Sequence, residues 1–307
     1  MCPSARWRNA DAAGDTMPPM QIGIVVPQHE IGDDPAAIRE FATAVEDEGF
    51  EYLLTFEHVI GRDDYAALPF HEPFVLFGFL AACTRTIGLT TGIIVLPQRQ
   101  TVLVAKQAAE VDMLSGGRLR LGLAVGWNPL EYDALGEDFA TRGKRMDEQI
   151  PMMQRLWTEG RVTGAVGREV LADVGLNPLP SRSIPIWLGG QGPAAVRRTA
   201  AFGDGLIIAG NAADPGAEEN FLDVRARLDA AADAVGRPRG ELGLEVSLAT
   251  KDGDPDSWRA QAERWAALGA THLSVLTYAR EPITPAEHIE RVSLIADAVI
   301  RPLGGDA

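Results

Sequence analysis

The chain has 307 residues, 46% of them hydrophobic, and a formal net charge of -15 at pH 7. That is enough apolar sequence for a full core in one large domain or two ordinary ones. No apolar run is long enough to span a bilayer. The acidic balance speaks against a nucleic-acid or anionic-membrane surface, which would need basic patches. It still allows a local basic pocket for a phosphate. The two cysteines, Cys2 and Cys83, form no Cys-x-x-Cys pair, so a disulfide framework or a thiolate zinc site is not expected.

Residues 1–19 carry Arg6 and Arg8 but no apolar central region. They read as a disordered extension and not as a secretory signal, and Met17 or Met20 could serve as the natural start. Cytoplasm is the expected location. Residues 21–27 form a short apolar strand bounded by Pro27. After a loop over 29–34, residues 35–48 have Ile38, Phe41, Ala44 and Val45 at helical spacing, with Pro35 suited to a first turn and Gly49 as the stop. Residues 52–55 are a second strand, followed by Phe56-Glu57-His58. Residues 59–73 are irregular and carry His71-Glu72-Pro73; 74–84 are an apolar helix in which Cys83 reads as a small core residue. The third strand covers 87–96. Its internal Gly92 suggests a bulge or a close backbone approach, and Pro97 ends it. A helix follows over 102–114.

Residues 114–127, LSGGRLRLGLAVGW, read as a helix end, a glycine turn and a buried strand. Leu119, Leu121, Leu123 and Val125 share one face; Gly122 and Ala124 lie on the other. Gly126 stands where the strand hands over to a loop and lets something flat or anionic approach the backbone. Residues 128–141 read as a loop. A helix over 142–158 buries Met146, Ile150, Met153 and Leu156 or Trp157, with Pro151 as a bend or a boundary. Residues 160–185 are too long for a plain connection and suggest an insertion with a small strand of its own. The alternation then resumes, with strands at 186–188, 205–209, 242–248 and 272–276, and helices at 193–202, 217–235, 257–268 and 285–300.

Eight strands, each followed by a helix, imply parallel pairing with right-handed crossovers. The repeat fits a closed (β/α)8 TIM barrel, which takes about 250 residues, as a single domain over 20–303. An open doubly wound sheet would be favoured by a Gly-x-Gly-x-x-Gly after the first strand, which is missing.

In such a barrel the active site lies at the C-terminal strand ends. Those ends carry Pro27 and Gln28, Glu57 and His58, Gly92 to Val95, Gly126 and Trp127, Gly189 to Gly192, Gly210 and Asn211, Leu248, and Thr277. The set is rich in glycine and poor in charge. It lacks the clustered ligands of a metal site, and no Gly-x-Ser-x-Gly is present for a hydrolase. It suits a bound cofactor that carries the chemistry itself. The turn of Gly189, Gly190, Gln191 and Gly192 opens a helix and is either an anion seat or a plain glycine loop. His58 reads as a proton donor or as a hydrogen-bonded core histidine. Glu57 either anchors a polar group of the cofactor or is solvated. Trp127 borders a flat ring or packs in the core. His71 and Glu72 lie in a loop that could reach a substrate, with helix capping as the plainer role for Glu72.

Three segments carry a family likeness: 90–114, 115–127 and 184–208. They resemble the bacterial luciferase-like superfamily of flavin- and deazaflavin-dependent oxidoreductases, and the likeness extends over residues 20–300. Gly126-Trp127-Asn128 with Glu131, and Arg142-Gly143-x-Arg145-x-x-Glu148, make the chain most similar to the coenzyme F420 branch. The resemblance implies a (β/α)8 barrel with a deazaflavin or flavin across the strand ends. It implies a non-prolyl cis peptide at Gly92–Ile93 behind the ring, and ring or side-chain contacts from Val95, Val125 and Gly126. It also implies an active-site histidine at His58 beside Glu57, and a cofactor-phosphate turn at Gln191, Gly192, Ala194 and Ala195. Dimers are common in the family, so a homodimer is expected. Trp127 stands where the family's sugar-phosphate dehydrogenases place a catalytic glutamate, which speaks against that activity.

The expected activity is hydride transfer between coenzyme F420 and a small, moderately hydrophobic organic substrate, with His58 as proton donor. Phe56, Phe70, Phe74, His71 and Trp127 are the expected pocket. The alternatives are a reduced-FMN monooxygenase and, from another class, a non-catalytic flavin- or deazaflavin-binding protein. No metal is expected.

Overall fold

Parallel pairing runs through the whole main sheet. The strands, in a computed structural model that describes residues 19–61, 68–251 and 253–303, are β1 (Gln21–Val25), β2 (Tyr52–Thr55), β3 (Gly88–Thr91), β4 (Ile94–Val95), β5 (Leu119–Ala124), β6 (Val162–Val166), β7 (Glu169–Val174), β8 (Ile186–Gly189), β9 (Gly205–Asn211), β10 (Gly243–Ala249) and β11 (His272–Leu276). The sheet order is β3-β2-β1-β11-β10-β9-β8-β5-β4, and a further pairing of β3 with β5 closes the ring. β3 and β4 are one stave interrupted at Gly92–Ile93, so the barrel has eight staves. This is the expected (β/α)8 architecture. β6 and β7 form a separate antiparallel hairpin within the long connection before β8.

The helices are α1 (Gln28–Ile31), α2 (Pro35–Asp47), α3 (Pro73–Cys83), α4 (Thr101–Leu114), α5 (Pro129–Leu135), α6 (Arg142–Thr158), α7 (Pro193–Phe202), α8 (Ala217–Ala234), α9 (Pro255–Leu268) and α10 (Pro285–Ile295). Their starts follow from local chemistry. Asp34 accepts from the Ala36 N–H ahead of Pro35, and Glu72 accepts from Val75 N–H at 2.8 Å ahead of Pro73. Capping boxes at Asp254/Ser257 and Thr284/Glu287 open α9 and α10. Strand residues such as Leu119, Leu121 and Leu123 share one hydrophobic core with buried helix residues such as Phe41, Val104 and Ile150. Among the described residues no helix is long and apolar enough to cross a membrane. The expected N-terminal extension lies outside the described residues apart from Pro19.

Four local expectations need correction. The loop expected at 29–34 begins inside the short helix α1. The loop expected at 128–141 holds α5 and a 3-10 turn, Phe139–Thr141. Asn128 caps α5 by accepting from Leu130 N–H at 3.0 Å, and Gly136 ends it in the left-handed region. The third strand is split at Gly92, where a Cβ would lie 2.4 Å from Leu54 Cδ2. Pro151 lies inside α6 and does not mark a boundary.

The strand period also puts a charged layer inside the barrel. Arg120, on the face of β5 shared with Gly122, is 0% exposed. Its guanidinium sits 4.5 Å from the Tyr52 ring centre and 4.4 Å from that of Trp187, and it pairs with Glu245 at 2.9 Å. The Tyr52 hydroxyl donates to Glu245 at 3.0 Å. Gly23 leaves room for the Tyr52 ring, and Gly205 and Gly243 leave room for that of Trp187; a Cβ at any of them would lie within 2.5 Å of the ring. These residues come from the beginnings of their strands, away from the C-terminal mouth.

Candidate active site

At the mouth, three neighbouring stave ends form a continuous apolar strip. β4 pairs with β5 through Val95 and Ala124, and β5 pairs with β8 through Leu123 and Leu188. The Gly92–Ile93 peptide bond is cis, as the family resemblance implied. Ile93 reaches across to β8, where a Cβ on Gly189 would meet Ile93 Cγ2 at 2.8 Å. Gly126 has φ +65°, and a Cβ there would strike Val95 Cγ1 at 2.6 Å. Glycine is therefore needed at Gly126 for both conformation and space. Tyr132 in α5 donates its hydroxyl to the Val125 carbonyl at 2.7 Å and pins the strand end. The structure thus gathers Ile93, Val95, Val125, Gly126 and Gly189 into one floor.

The floor runs into the turn before α7. Gly190 N–H is used by the Ile207 carbonyl at 2.9 Å. Among the described residues, no acceptor engages the N–H groups of Gln191, Gly192, Ala194 and Ala195, and the N-cap has no side-chain bond. Four donors at the positive end of a ten-residue helix suit an anion. The Gln191 side chain accepts from Asn220 at 3.1 Å and braces the turn. The floor and the turn together fit a flat cofactor with a phosphate.

His58 lies on the opposite side of the floor. Its Nδ1 is 3.0 Å from Glu131 Oε1, and its side chain is 10% exposed. Glu131 also accepts from Val59 N–H at 3.0 Å and from Gln98 Nε2 at 3.1 Å. Burial alone would raise the Glu131 pKa. The bonds from His58, Gln98 and Val59 outweigh it and hold the carboxyl below the usual range. Glu131 is thus an anion at neutral pH, fixed on Nδ1. The His58 ring packs against Phe70 at 5.2 Å and Trp127 at 5.8 Å between ring centres. Trp127 is 58% exposed, and the adjacent Val59, Ile60 and Leu68 are exposed too. A histidine ringed by uncovered apolar groups suits an apolar ligand better than a packed core.

Several expected site residues are placed differently. Glu57 is turned inward: its carboxylate accepts from Val95 N–H at 2.6 Å and from Arg99, which also pairs with Glu72 at 2.7 Å. Burial raises its pKa, against the pull of Arg99. It braces the floor from behind because both its oxygens are taken by the protein. Phe56 packs with Val25, Tyr52 and Leu54, and Phe74 is core, 5% exposed. His71 points to the Gly32 carbonyl at 3.4 Å while its N–H is held by Gln28 at 3.0 Å, so it ties the loop to α1. Phe70 and Trp127 remain with His58. Sequence reading assigned no role to Glu131 and placed it in a loop; the Asn128-Pro129 helix start was the signal that would have put it on α5.

The family described as luciferase-like monooxygenase matches residues 20–299. Pyrimidine monooxygenase RutA of Allorhizobium ampelinum is 33% identical over 186 residues, covering 59% of this chain and 50% of the relative. The 5,10-methylenetetrahydromethanopterin reductase of Archaeoglobus fulgidus is 29% identical over 224 residues, covering 72% and 61%. The chain thus spans about half the length of the first of these relatives. Among solved structures, an F420-dependent secondary alcohol dehydrogenase in complex with an F420-acetone adduct superposes with a TM-score of 0.76 at 17% identity, covering 94% of this chain and 100% of that one. At that identity the likeness is one of fold.

Proposed function

The chain belongs to the luciferase-like monooxygenase family, which contains monooxygenases and reductases, and on that premise we propose that it transfers a hydride between coenzyme F420 and a small, moderately hydrophobic organic substrate, with His58 as the proton donor. The observation that carries this reading is the 3.0 Å contact between His58 Nδ1 and the buried Glu131 carboxylate. The fixed carboxylate on Nδ1 sets the ring's orientation beside the floor, and a histidine held there is placed to pass a proton to a ligand. The deazaflavin, when bound, supplies the hydride chemistry. Ile93, Val95, Val125, Gly126 and Gly189 would carry its ring, and the N–H groups of Gln191, Gly192, Ala194 and Ala195 would hold its phosphate. Phe70 and Trp127 shape the substrate space and keep water from His58.

A second reading, a monooxygenase that uses reduced FMN, is favoured by the name of the RutA relative. Paired fluorescence titrations of the purified chain with coenzyme F420 and with FMN separate the two. Saturable, tight F420 binding with weak FMN binding is the expected outcome. The reverse preference, together with substrate-dependent oxygen consumption, would move the assignment to the monooxygenase. Binding without redox turnover over a broad substrate panel would leave a binding protein. Binding of neither cofactor would sink all three.

A further inference from the structure

A cleft opens between the β9–α8 connection and α9, and neither His58, Trp127 nor the floor residues line it. It has two adjoining chambers that share Ala212, Asp214, Ala217 and Trp265. The outer chamber has a volume of about 450 Å³ and the inner one about 170 Å³. Ile208, Phe221, Val246 and Trp265, all buried, give the inner chamber an apolar wall. A space of that size takes a benzene-sized body. The outer chamber is acidic. Asp214, Glu218 and Glu219 line it, and Arg264 is the one cation among its lining residues. Arg264 is spent on Glu218, with Nε 3.0 Å from Oε1 and Nη2 2.6 Å from Oε2. Asp214 accepts only from Asn211 N–H, at 3.4 Å. Glu219 turns back over the connection: a Cβ on Gly216 would lie 3.9 Å from its Oε2. Among the described residues neither Asp214 nor Glu219 has a cationic partner. Acids in a first turn suit the α8 dipole, which accounts for Glu218 and Glu219 but not for Asp214.

Two side chains of α9 line the cleft and lack partners. Gln261 Oε1 is buried and accepts no hydrogen bond. Trp265 is 2% exposed and lines both chambers, and among the described residues no acceptor engages its indole N–H. Buried polar groups are ordinarily paired, so these two call for a donor and an acceptor on a ligand. A ligand carboxylate or phosphate would meet the charges of Asp214 and Glu219. A neutral hydrocarbon would leave Gln261 and Trp265 unpaired. A bare metal ion would lack ligands, because no three His, Cys, Asp or Glu side chains among the described residues are grouped to hold one. An ammonium has donors for Gln261, Asp214 and Glu219 but no lone pair, so the Trp265 N–H needs a separate oxygen on the apolar body.

We propose that this cleft is a second ligand site, for a small primary amine with an oxygen-bearing aromatic body. Asp214, Glu219 and Gln261 hold the ammonium, the inner chamber takes the ring, and the ring's oxygen accepts from the Trp265 N–H. The site goes beyond the activity proposed above and depends on neither cofactor.

The test is equilibrium dialysis of the full chain against tyramine, phenethylamine and 4-ethylphenol at low ionic strength. Tyramine carries both the ammonium and the oxygen; each of the others lacks one. The wild type should bind tyramine about tenfold more tightly than 4-ethylphenol, the worth of a charged hydrogen bond, and about threefold more tightly than phenethylamine, the worth of a neutral one. Added salt should weaken tyramine binding and leave 4-ethylphenol unchanged. Asp214→Asn combined with Glu219→Gln, both at exposed positions, should bring tyramine down to the level of 4-ethylphenol. Trp265→Phe should erase the difference between tyramine and phenethylamine; if it fails to fold, the exposed acid pair still decides. No saturable tyramine binding, equal wild-type affinity for tyramine and either other probe, or undiminished tyramine binding in the acid variant would overturn the proposal.

Discussion

At the N-terminal end of the barrel, Arg120, Glu245, Tyr52, Trp187 and His272 close over one another; at the C-terminal end, His58, Glu131, Phe70 and Trp127 gather around an open mouth. Both groups join a histidine, a glutamate and aromatic rings. In the first, Arg120 and Glu245 are 0% exposed and meet each other at 2.9 Å. In the second, the glutamate is buried but its histidine keeps an open edge beside a Trp127 that is 58% exposed. Residue type is therefore a poor guide to role here. Position in the barrel separates a sealed ion pair from the pair proposed to exchange a proton with a ligand.

The sharpest way to break this contrast is to exchange the effects. His58→Asn should lower kcat by about 10²–10⁴-fold, the range for losing a general acid, with the thermal midpoint little changed. Glu245→Gln should do the opposite. Leaving the Arg120 charge without its carboxylate should cost about 3–5 kcal/mol of stability, read by denaturant unfolding, with cofactor affinity retained in the folded fraction. A fall in kcat without a loss of stability in Glu245→Gln would erase the distinction between the two ends.

Smaller changes sharpen it. Gly126→Ala puts a Cβ into Val95 at φ +65° and should cost about 1–3 kcal/mol along with weaker cofactor binding, measured by unfolding and by titration. Glu131→Gln keeps the shape but replaces the carboxylate that orients the His58 ring through its 3.0 Å contact with Nδ1. It should lower kcat about tenfold with KM little changed, as for a positioning group; an unchanged kcat would deny Glu131 that role.

The smallest effect concerns the sealed end. Burial, then Arg120, pushes the His272 pKa well below its ordinary 6.5. The folded chain keeps His272 neutral while the unfolded chain protonates it, so stability falls as pH drops below about 6.5. In His272→Gln the thermal midpoint should fall less between pH 7.5 and 5.5 than in the wild type.

Much of the scaffold is legible in the chain itself. The eight-fold alternation of short apolar runs and helical spacings carries the barrel, because strand and helix periods are local. Caps such as Asp34-Pro35, the break at Gly92 and the glycine at 126 are local too, since each answers to the geometry of its own few residues. Partners are another matter. A period of two places Arg120 inside the barrel but is silent on Glu245 meeting it. The sequence brings His58 to a strand end, and only closure of the ring with the docking of α5 sets Glu131 on its Nδ1. The same closure turns Glu57 inward onto Arg99 and brings Tyr278 against His29 from opposite ends of the chain. Pairings of this kind depend on how distant staves are juxtaposed, so the tertiary structure alone decides which polar groups are sealed and which are left to act.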